Sequence, residues 1–468
     1  MTAINMESIS SDLIVFFALP MKLSPLFKAD FKANLRLAWP IIIGQLGQIS
    51  VNLIDNVMVG QLGTVPLASI SLAISIFIIF FVVGMGLSVA LQPLVAEADA
   101  RGEAQICSFS FKHSFLINTI FSLISIALVE IGIELIHSLG QNPEVVHGAI
   151  PYLRISMYSL IPFMWFQAFK GLSEGLSETR APMIAMVIGN AANIILNYML
   201  IFGHWGAPDM GLKGAAYATF ISRVLMFFLL ILLMRYWKKD SAKRLWDYIL
   251  NVDPWHYSME YFRKVLRLGI PSSLQMLFEV GAFAAAAIMM GMLGPIEQAA
   301  HQITITAVST TFMICLGISV AATVRVGNAL GKDDKKGMRN AGAVALLQVV
   351  LFMSVTAISI ALLRFVIPTW FIDDEAVIEI AAILLVVSAV FQISDGLQVA
   401  AIGALRGMQD IWWPTMITFF AYSVVGIPFS YFAAFHWGLD YVGIWLGLLL
   451  GLSLSAILNT WRFYRLTA

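Results

Sequence analysis

Three acidic residues lie deep inside long apolar stretches of the sequence: Asp55, Glu279 and Asp395. A charged side chain at the centre of a bilayer is costly, so it usually faces the interior of a helix bundle and serves a function. None of the three has a basic residue within one helical turn along its own stretch. We therefore expect carboxylates that bind a cation or a proton. The alternative is a carboxyl group that stays protonated and hydrogen-bonded inside the bundle.

Three asparagines, Asn190, Asn193 and Asn197, occur together in another apolar stretch. Their spacing places them on one face of an α-helix. Amide, carboxylate and hydroxyl oxygens are the hard ligands that cations such as Na⁺ prefer. Asparagine amides also form hydrogen bonds between membrane helices, and for Asn190 taken alone that structural role is the better interpretation.

The composition places most of this chain in a membrane. Of 468 residues, 59% are hydrophobic and 12% are charged, whereas soluble domains carry about 25% charged residues. Basic and acidic residues number 28 each, and this zero net charge argues against a nucleic-acid partner. The two cysteines and seven histidines show no metal-ligand spacing, so we expect neither an enzyme nor a resident cofactor.

Apolar runs long enough to cross about 30 Å of hydrocarbon predict twelve transmembrane helices. Lys and Arg concentrate in both tails and in the even-numbered loops, whereas the odd-numbered loops are nearly free of them. The positive-inside rule therefore places both termini in the cytoplasm, which requires an even number of spans. The predicted spans are 36–60, 67–95, 112–137, 148–174, 182–203, 212–236, 264–292, 298–327, 338–368, 377–404, 412–434 and 441–464.

The two halves of the chain repeat each other. Residues 35–40 (LRLAWP) match 266–271 (LRLGIP), and residues 86–90 (GLSVA) match 317–321 (GISVA), both at an offset of 231. Chance similarity between apolar helices would not keep one offset through shared Pro and Gly positions. Each half holds six spans, so the repeat is parallel, with its axis along the membrane normal and a substrate path between the halves.

The predicted fold class is an all-α integral membrane protein, with twelve transmembrane helices in two six-helix lobes related by a pseudo-twofold axis. The repeat places Gln48 at the position of Glu279 and Ala286 at the position of Asp55, so each lobe keeps a carboxylate at a different depth. The predicted regions are a cytoplasmic N-terminal segment (1–35), an N-lobe (36–236), a cytoplasmic connector (237–263) and a C-lobe (264–468).

Several segments carry a family resemblance: DNVMVGQLG (55–63), PLVAEADARGE (93–103), FKGLSEGLSETRAP (169–182), NIILNYMLIFG (193–203), AAHQI (299–303) and DGLQVAAIGALRGMQD (395–410). Together they resemble the multidrug and toxic compound extrusion (MATE) family, in particular its NorM-like branch. The resemblance implies efflux of bulky, often cationic organic compounds in exchange for inward-moving Na⁺ or H⁺. It also implies a monomer in the bacterial inner membrane, with drugs and membrane lipid as its partners.

The same resemblance implies site residues in the N-lobe. Asn193 and Asn197 align with the family's cation site, which also draws on the aspartate of helix 1, here Asp55. Thr219 adds a hydroxyl oxygen, and Asn190 lies on the asparagine face. Na⁺ bound by Asp55, Asn193 and Asn197 is therefore one expectation, and a proton on Asp55 is the other.

In the C-lobe, Glu279 and Asp395 match an acidic pair of the NorM-like branch. Phe391 stands where that branch often has a tyrosine, and this difference removes a phenolic oxygen from the expected site. Pro40 marks a place where the family bends helix 1, although a fixed kink without switching is the alternative.

A lipid-linked oligosaccharide flippase of the same superfamily is the alternative function. It predicts cationic residues that line the cavity and hold pyrophosphate, whereas the intramembrane charges identified above are acidic. A passive channel would not need a repeat with ionisable residues in each half. The sequence leaves the choice between sodium and proton coupling open.

Overall fold

The computed structural model describes residues 25–137, 140, 142–236, 246–249 and 257–468. Most of the predicted N-terminal segment and of the predicted connector lies outside these residues. Within them the chain forms helices and no strands, which confirms the predicted fold class.

The helices follow the predicted spans closely. Eleven of them are long and apolar enough to cross a membrane, and the fourth predicted span is built from two shorter helices. The helices are α1 (Pro25–Gly60), α2 (Thr64–Ala100), α3 (Ala104–His137), α4 (Pro143–Tyr158 and Leu160–Gly175), α5 (Arg180–Phe202), α6 (Gly211–Tyr236), α7 (Met259–Leu293), α8 (Pro295–Gly331), α9 (Lys335–Leu362), α10 (Glu375–Gly407), α11 (Trp412–Phe435) and α12 (Asp440–Leu466).

Helix α4 is interrupted at Ser159, between its two halves. Pro162 explains the break, because proline has no N–H to donate to the carbonyl of Tyr158 four residues earlier. The Ser159 hydroxyl donates to the carbonyl oxygen of Ser156 at 2.6 Å and accepts a hydrogen bond from α6. The interruption therefore places a polar side chain inside the N-lobe.

Helix α11 widens into a π-helical segment, Phe420–Gly426. Such segments often occur at functional sites. Tyr422 lies in this segment, is fully buried, and donates its hydroxyl hydrogen to Gln398 Oε1 of α10 at 2.8 Å. The segment therefore aims a polar ring toward the part of α10 that carries the predicted C-lobe aspartate.

The interface between the lobes is itself two-fold symmetric. Helix α1 packs against α8, and its repeat counterpart α7 packs against α2, the counterpart of α8. At Gly86 of α2 an added Cβ would lie 2.3 Å from the backbone of Ser273, and at Gly317 of α8 it would lie 2.5 Å from Ile42. These are the same two positions of the repeat. Glycine is required at both because the helices cross too closely for a side chain.

The lobes are joined at one end of the bundle, the end at which α1 begins. Asn34 donates to Gln348 Oε1 at 2.6 Å, and Arg325 forms an ion pair with Asp30. Every hydrogen bond between the lobes, within the described part of the chain, lies in this half. We call it the closed end and the opposite end the open end, where the two core clusters each contain residues of one lobe only.

Candidate functional site

A chain of hydrogen bonds links Asp55 of α1 to α5 and α6. Asn197 Nδ2 donates to Asp55 Oδ1 at 2.5 Å and to Asn193 Oδ1 at 3.1 Å. Asn193 Nδ2 in turn lies 3.4 Å from both Thr219 Oγ1 and Ser222 Oγ. The structure thus brings together four predicted residues, and it adds Ser222, which the sequence analysis missed.

Helix α5 positions this chain between two neighbours. Asn193 and Asn197 lie one turn apart on the face that meets α1 and α6, and they are 2% and 0% exposed. Gly189 on the same helix allows α6 to approach, because an added Cβ would lie 2.0 Å from Met226. Close packing of α5 and α6 therefore brings the hydroxyls of α6 within reach of the amides of α5.

The donor set suits a monovalent cation or a proton. Asn197 Oδ1 is buried and accepts no hydrogen bond, so one hard acceptor is free beside the Asp55 carboxylate. Thr219 and Ser222 supply hydroxyl oxygens that are linked to Asn197 through hydrogen bonds of Asn193. With a single carboxylate, the site carries too little negative charge for a typical divalent site. No cluster of three His, Cys, Asp or Glu residues occurs in the described part of the chain.

Asn190 does not join the hydrogen-bonded chain. Its Nδ2 is buried without a partner and lies 2.7 Å from the Cβ position that a side chain at Gly47 would occupy. Gly47 precedes Asp55 by about two turns of α1. Asn190 therefore faces α1 at a position nearer to the closed end than Asp55 is.

Arg223 of α6 is the second charge in the N-lobe interior, and the sequence analysis did not identify it. Its Nη1 donates to Ser159 Oγ at 2.7 Å. Its Cζ lies 4.9 Å from the ring centre of Phe163, 5.3 Å from that of Phe77 and 5.8 Å from that of Phe81. The sequence does indicate Arg223, because it is a charged residue within the apolar run of α6, as the three acidic residues are within theirs.

Arg223 also lies within electrostatic reach of Asp55. The two side chains form no ion pair in this structure. The N-lobe therefore holds one negative and one positive charge close together but not in contact.

The C-lobe brings its two predicted carboxylates together. Glu279 of α7 and Asp395 of α10 are close enough to repel each other when both are charged. Neither accepts a hydrogen bond from any residue that the structure describes. Asp395 is 3% exposed, and Glu279 is half-buried. An unsatisfied pair of this kind attracts a cation or shares a proton.

Polar groups of α8, α9 and α10 meet beside this pair. Gln392, one turn before Asp395, accepts hydrogen bonds from Thr311 Oγ1 at 2.7 Å and from Thr356 Oγ1 at 3.3 Å. Its Nε2 is buried and has no partner. The sequence analysis did not select these three residues, because their partners come from helices far apart in the chain.

Arg406 lies two residues beyond the predicted end of the span 377–404. Helix α10 instead runs to Gly407, and Arg406 is buried, with 7% of its surface exposed. It lies within electrostatic reach of Glu279. The C-lobe therefore also contains an arginine near one of its carboxylates, Glu279.

The remaining predicted positions have simple surroundings. Phe391 is fully buried, with ring centres of Trp445 at 5.4 Å and Phe283 at 6.1 Å, so it belongs to the aromatic core of the C-lobe. Pro40 lies inside α1, and Pro271 lies at the same repeat position inside α7. Each removes one backbone hydrogen bond from its helix.

The profile of the MatE family matches residues 40–199 and again residues 271–432. The chain belongs to this family. The two matches begin 231 residues apart, which is the offset of the internal repeat.

Curated relatives extend over nearly the whole chain. The probable multidrug resistance protein NorM of Agrobacterium fabrum is 34% identical over 93% of this chain and 94% of its own length. The multidrug resistance protein NorM of Photobacterium profundum is 33% identical over 93% of this chain and 95% of its own length. These relatives confirm the resemblance to the NorM-like branch.

Solved structures share the fold. An outward-facing multidrug resistance MATE family transporter aligns with a TM-score of 0.85 at 22% identity, covering 94% of this chain and 96% of that chain. A eukaryotic MATE transporter aligns with a TM-score of 0.82 at 22% identity, covering 93% of this chain and 96% of that chain. This MatE family member is therefore a multi-pass membrane protein with the two-lobe fold.

Proposed function

We propose that this protein exports bulky, often cationic organic compounds in exchange for inward-moving Na⁺ or H⁺ by alternating access. The chain of Asp55, Asn197, Asn193 and the hydroxyls of α6 carries this proposal. Such a chain can exchange a cation or a proton at a single carboxylate. The names of the NorM relatives, which are multidrug resistance proteins, support the substrate class.

Alternating access follows from the symmetric interface. Hydrogen bonds and an ion pair join the lobes at the closed end, so we place the substrate path at the open end. In the opposite state the lobes rock about the α1–α8 and α7–α2 contacts, and the closed-end hydrogen bonds break. With both termini in the cytoplasm, as the distribution of Lys and Arg predicts, the open end would face the outside of the inner membrane.

The C-lobe pair supplies competition between substrate and coupling ion. Glu279 and Asp395 repel each other when both are ionised, and Arg406 lies within electrostatic reach of Glu279. A cationic substrate and the coupling ion both reduce the repulsion between the carboxylates, and each therefore weakens the binding of the other. Exchange results without direct contact between the two ligands.

The flippase alternative is less consistent with the arrangement of charges. Two arginines inside the helix bundle, the half-buried Arg223 and the buried Arg406, are cations of the kind that pyrophosphate would require. Each of them, however, lies within electrostatic reach of a carboxylate, Asp55 or Glu279. Neither lobe therefore offers the concentrated positive charge that a pyrophosphate group needs.

The test is dye efflux from vesicles that contain the purified protein. A cationic dye is loaded inside, and sodium and pH gradients are imposed separately. We expect one gradient to drive efflux in the wild type but not in Asp55→Asn. Glu130→Gln is the matched control, because Glu130 pairs with Arg154 on the surface. Efflux that needs neither gradient would refute exchange, and movement of a lipid-linked sugar instead of the dye would support the flippase.

A further inference from the structure

Arg223 is a half-buried cation with an unusual environment. Its guanidinium lies among α2, α4 and α6. Within the described part of the chain, its hydrogen bond goes to the neutral hydroxyl of Ser159. The ring centres of three phenylalanines lie 4.9 to 5.8 Å from the Cζ atom of the guanidinium. Aromatic faces attract a cation but do not neutralise it. The positive charge therefore needs a counter-charge nearby.

Asp55 is the carboxylate that meets this need. Its interaction with Arg223 is attractive, but no ion pair forms between them in this structure. Instead, Asp55 Oδ1 is held by Asn197 at 2.5 Å. Arg223 directly follows Ser222, whose hydroxyl lies 3.4 Å from Asn193 Nδ2. The arginine therefore starts from the same turn of α6 that borders the Asp55 site, and its stem has several rotatable bonds.

We propose that Arg223 is the resident counter-cation of Asp55: it neutralises the carboxylate when the coupling cation is absent and is displaced when that cation binds. The inference rests on the proposed role of Asp55 as a cation site. Arg223 then competes with the coupling cation for Asp55, and this competition sets the affinity of the site for that cation. The ring of Phe77, Phe81 and Phe163 with Ser159 is the place where the guanidinium lies once it is displaced.

This arrangement explains two features of the N-lobe. The buried, unpartnered Asn197 Oδ1 is available to a bound cation while Arg223 stays with the rings. The break in α4 at Ser159 places a hydroxyl where the displaced guanidinium needs an acceptor. Both features serve a cation that alternates between two positions.

The experiment measures the melting temperature of the full-length protein in detergent, with Na⁺ alone as the probe and choline as its replacement. A ligand that binds only the folded state raises the melting temperature in proportion to its affinity. We expect Arg223→Gln to need about tenfold less Na⁺ than the wild type for half of the maximal shift. In a Glu279→Gln/Asp395→Asn background, which removes the C-lobe pair as a second sodium site, adding Asp55→Asn and Arg223→Gln together should abolish the sodium-specific shift.

Two controls separate charge from general damage. Arg223→Lys keeps the positive charge and should respond to Na⁺ much as the wild type does. Arg154→Gln removes an arginine that pairs with Glu130 at the surface, and should leave the sodium response unchanged. If Arg223→Gln does not fold, the Asp55→Asn/Arg223→Gln double variant should fold better than either single variant, because it removes both charges together.

An unchanged sodium response in Arg223→Gln would overturn the proposal, and so would additive losses of stability in the double variant. Loss of binding for anionic dyes alone, with the sodium response intact, would assign Arg223 to substrate recognition instead. These measurements do not involve transport. Failure of gradient-driven efflux would therefore count against the proposed function without deciding the pairing of Arg223 with Asp55.

Discussion

The two lobes share one fold but treat their carboxylates differently. In the N-lobe, Asp55 is hydrogen-bonded to Asn197 and lies near Arg223. In the C-lobe, Glu279 and Asp395 lie near each other and accept no hydrogen bond from the residues that the structure describes. The N-lobe therefore presents one hydrogen-bonded carboxylate with an arginine nearby, whereas the C-lobe presents two neighbouring carboxyl groups that repel each other when both are charged.

The repeat explains how this difference arose on a common scaffold. The position of Asp55 is occupied in the C-lobe by Ala286, which is fully buried, and the position of Glu279 is occupied in the N-lobe by Gln48. The interface glycines, by contrast, are kept at both positions, Gly86 and Gly317. Helix packing thus tolerates little change, while a few substitutions in each lobe decide its chemistry.

The comparison predicts its largest effect at Asp55. Asp55→Asn keeps the size of the side chain and removes its charge, so gradient-driven dye efflux should fall by about a hundredfold or more. The amount of protein in the membrane should stay close to that of the wild type. Near-normal efflux under an imposed gradient would reduce Asp55 to a structural role and remove the contrast between the lobes.

In the C-lobe the two carboxylates should behave as one unit. Glu279→Gln and Asp395→Asn should each lower dye efflux by about tenfold, because either change removes charge from a shared site. The double variant should lie within about twofold of the worse single variant, since residues that act together are not additive. Initial rates of efflux from vesicles test this, and fully independent effects would contradict a shared site.

Much of the fold could be predicted because it depends on local pattern. Apolar length and charge alternation gave the spans, and the 231-residue offset gave the two lobes. The break at Ser159 was not predicted, because an apolar run has the same hydropathy whether or not it is interrupted. Pro162 was the available signal.

The candidate sites could be predicted only in part, because their contacts join distant helices. Asn193 and Asn197 were identified from their spacing on one helix. Arg223 and Ser222 were not identified, because they come near Asp55 only after α1, α5 and α6 pack together. Spacing along one helix does not reveal which neighbouring helix supplies the opposite charge.

A smaller effect should separate two asparagines on one face of α5. Asn197→Ala removes a hydrogen bond to a charged group, worth about 1.5–3 kcal/mol, so the coupling ion should be needed at about tenfold higher concentration or more. Asn190→Ala should change this requirement by less than about twofold, because Asn190 donates no hydrogen bond to Asp55. Dye efflux measured across a series of ion concentrations compares them, and equal effects would place Asn190 within the site.

Exchange in this transporter depends, in our proposal, on competition between substrate and coupling ion at the C-lobe pair. Equilibrium binding of a cationic dye to the purified protein, titrated with Na⁺ and separately with H⁺, tests it most directly. Raising the coupling ion should weaken dye binding in the wild type, and this competition should disappear in the Glu279→Gln/Asp395→Asn variant. Competition of the same strength in that variant, or dye affinity indifferent to both ions in the wild type, would contradict the claim.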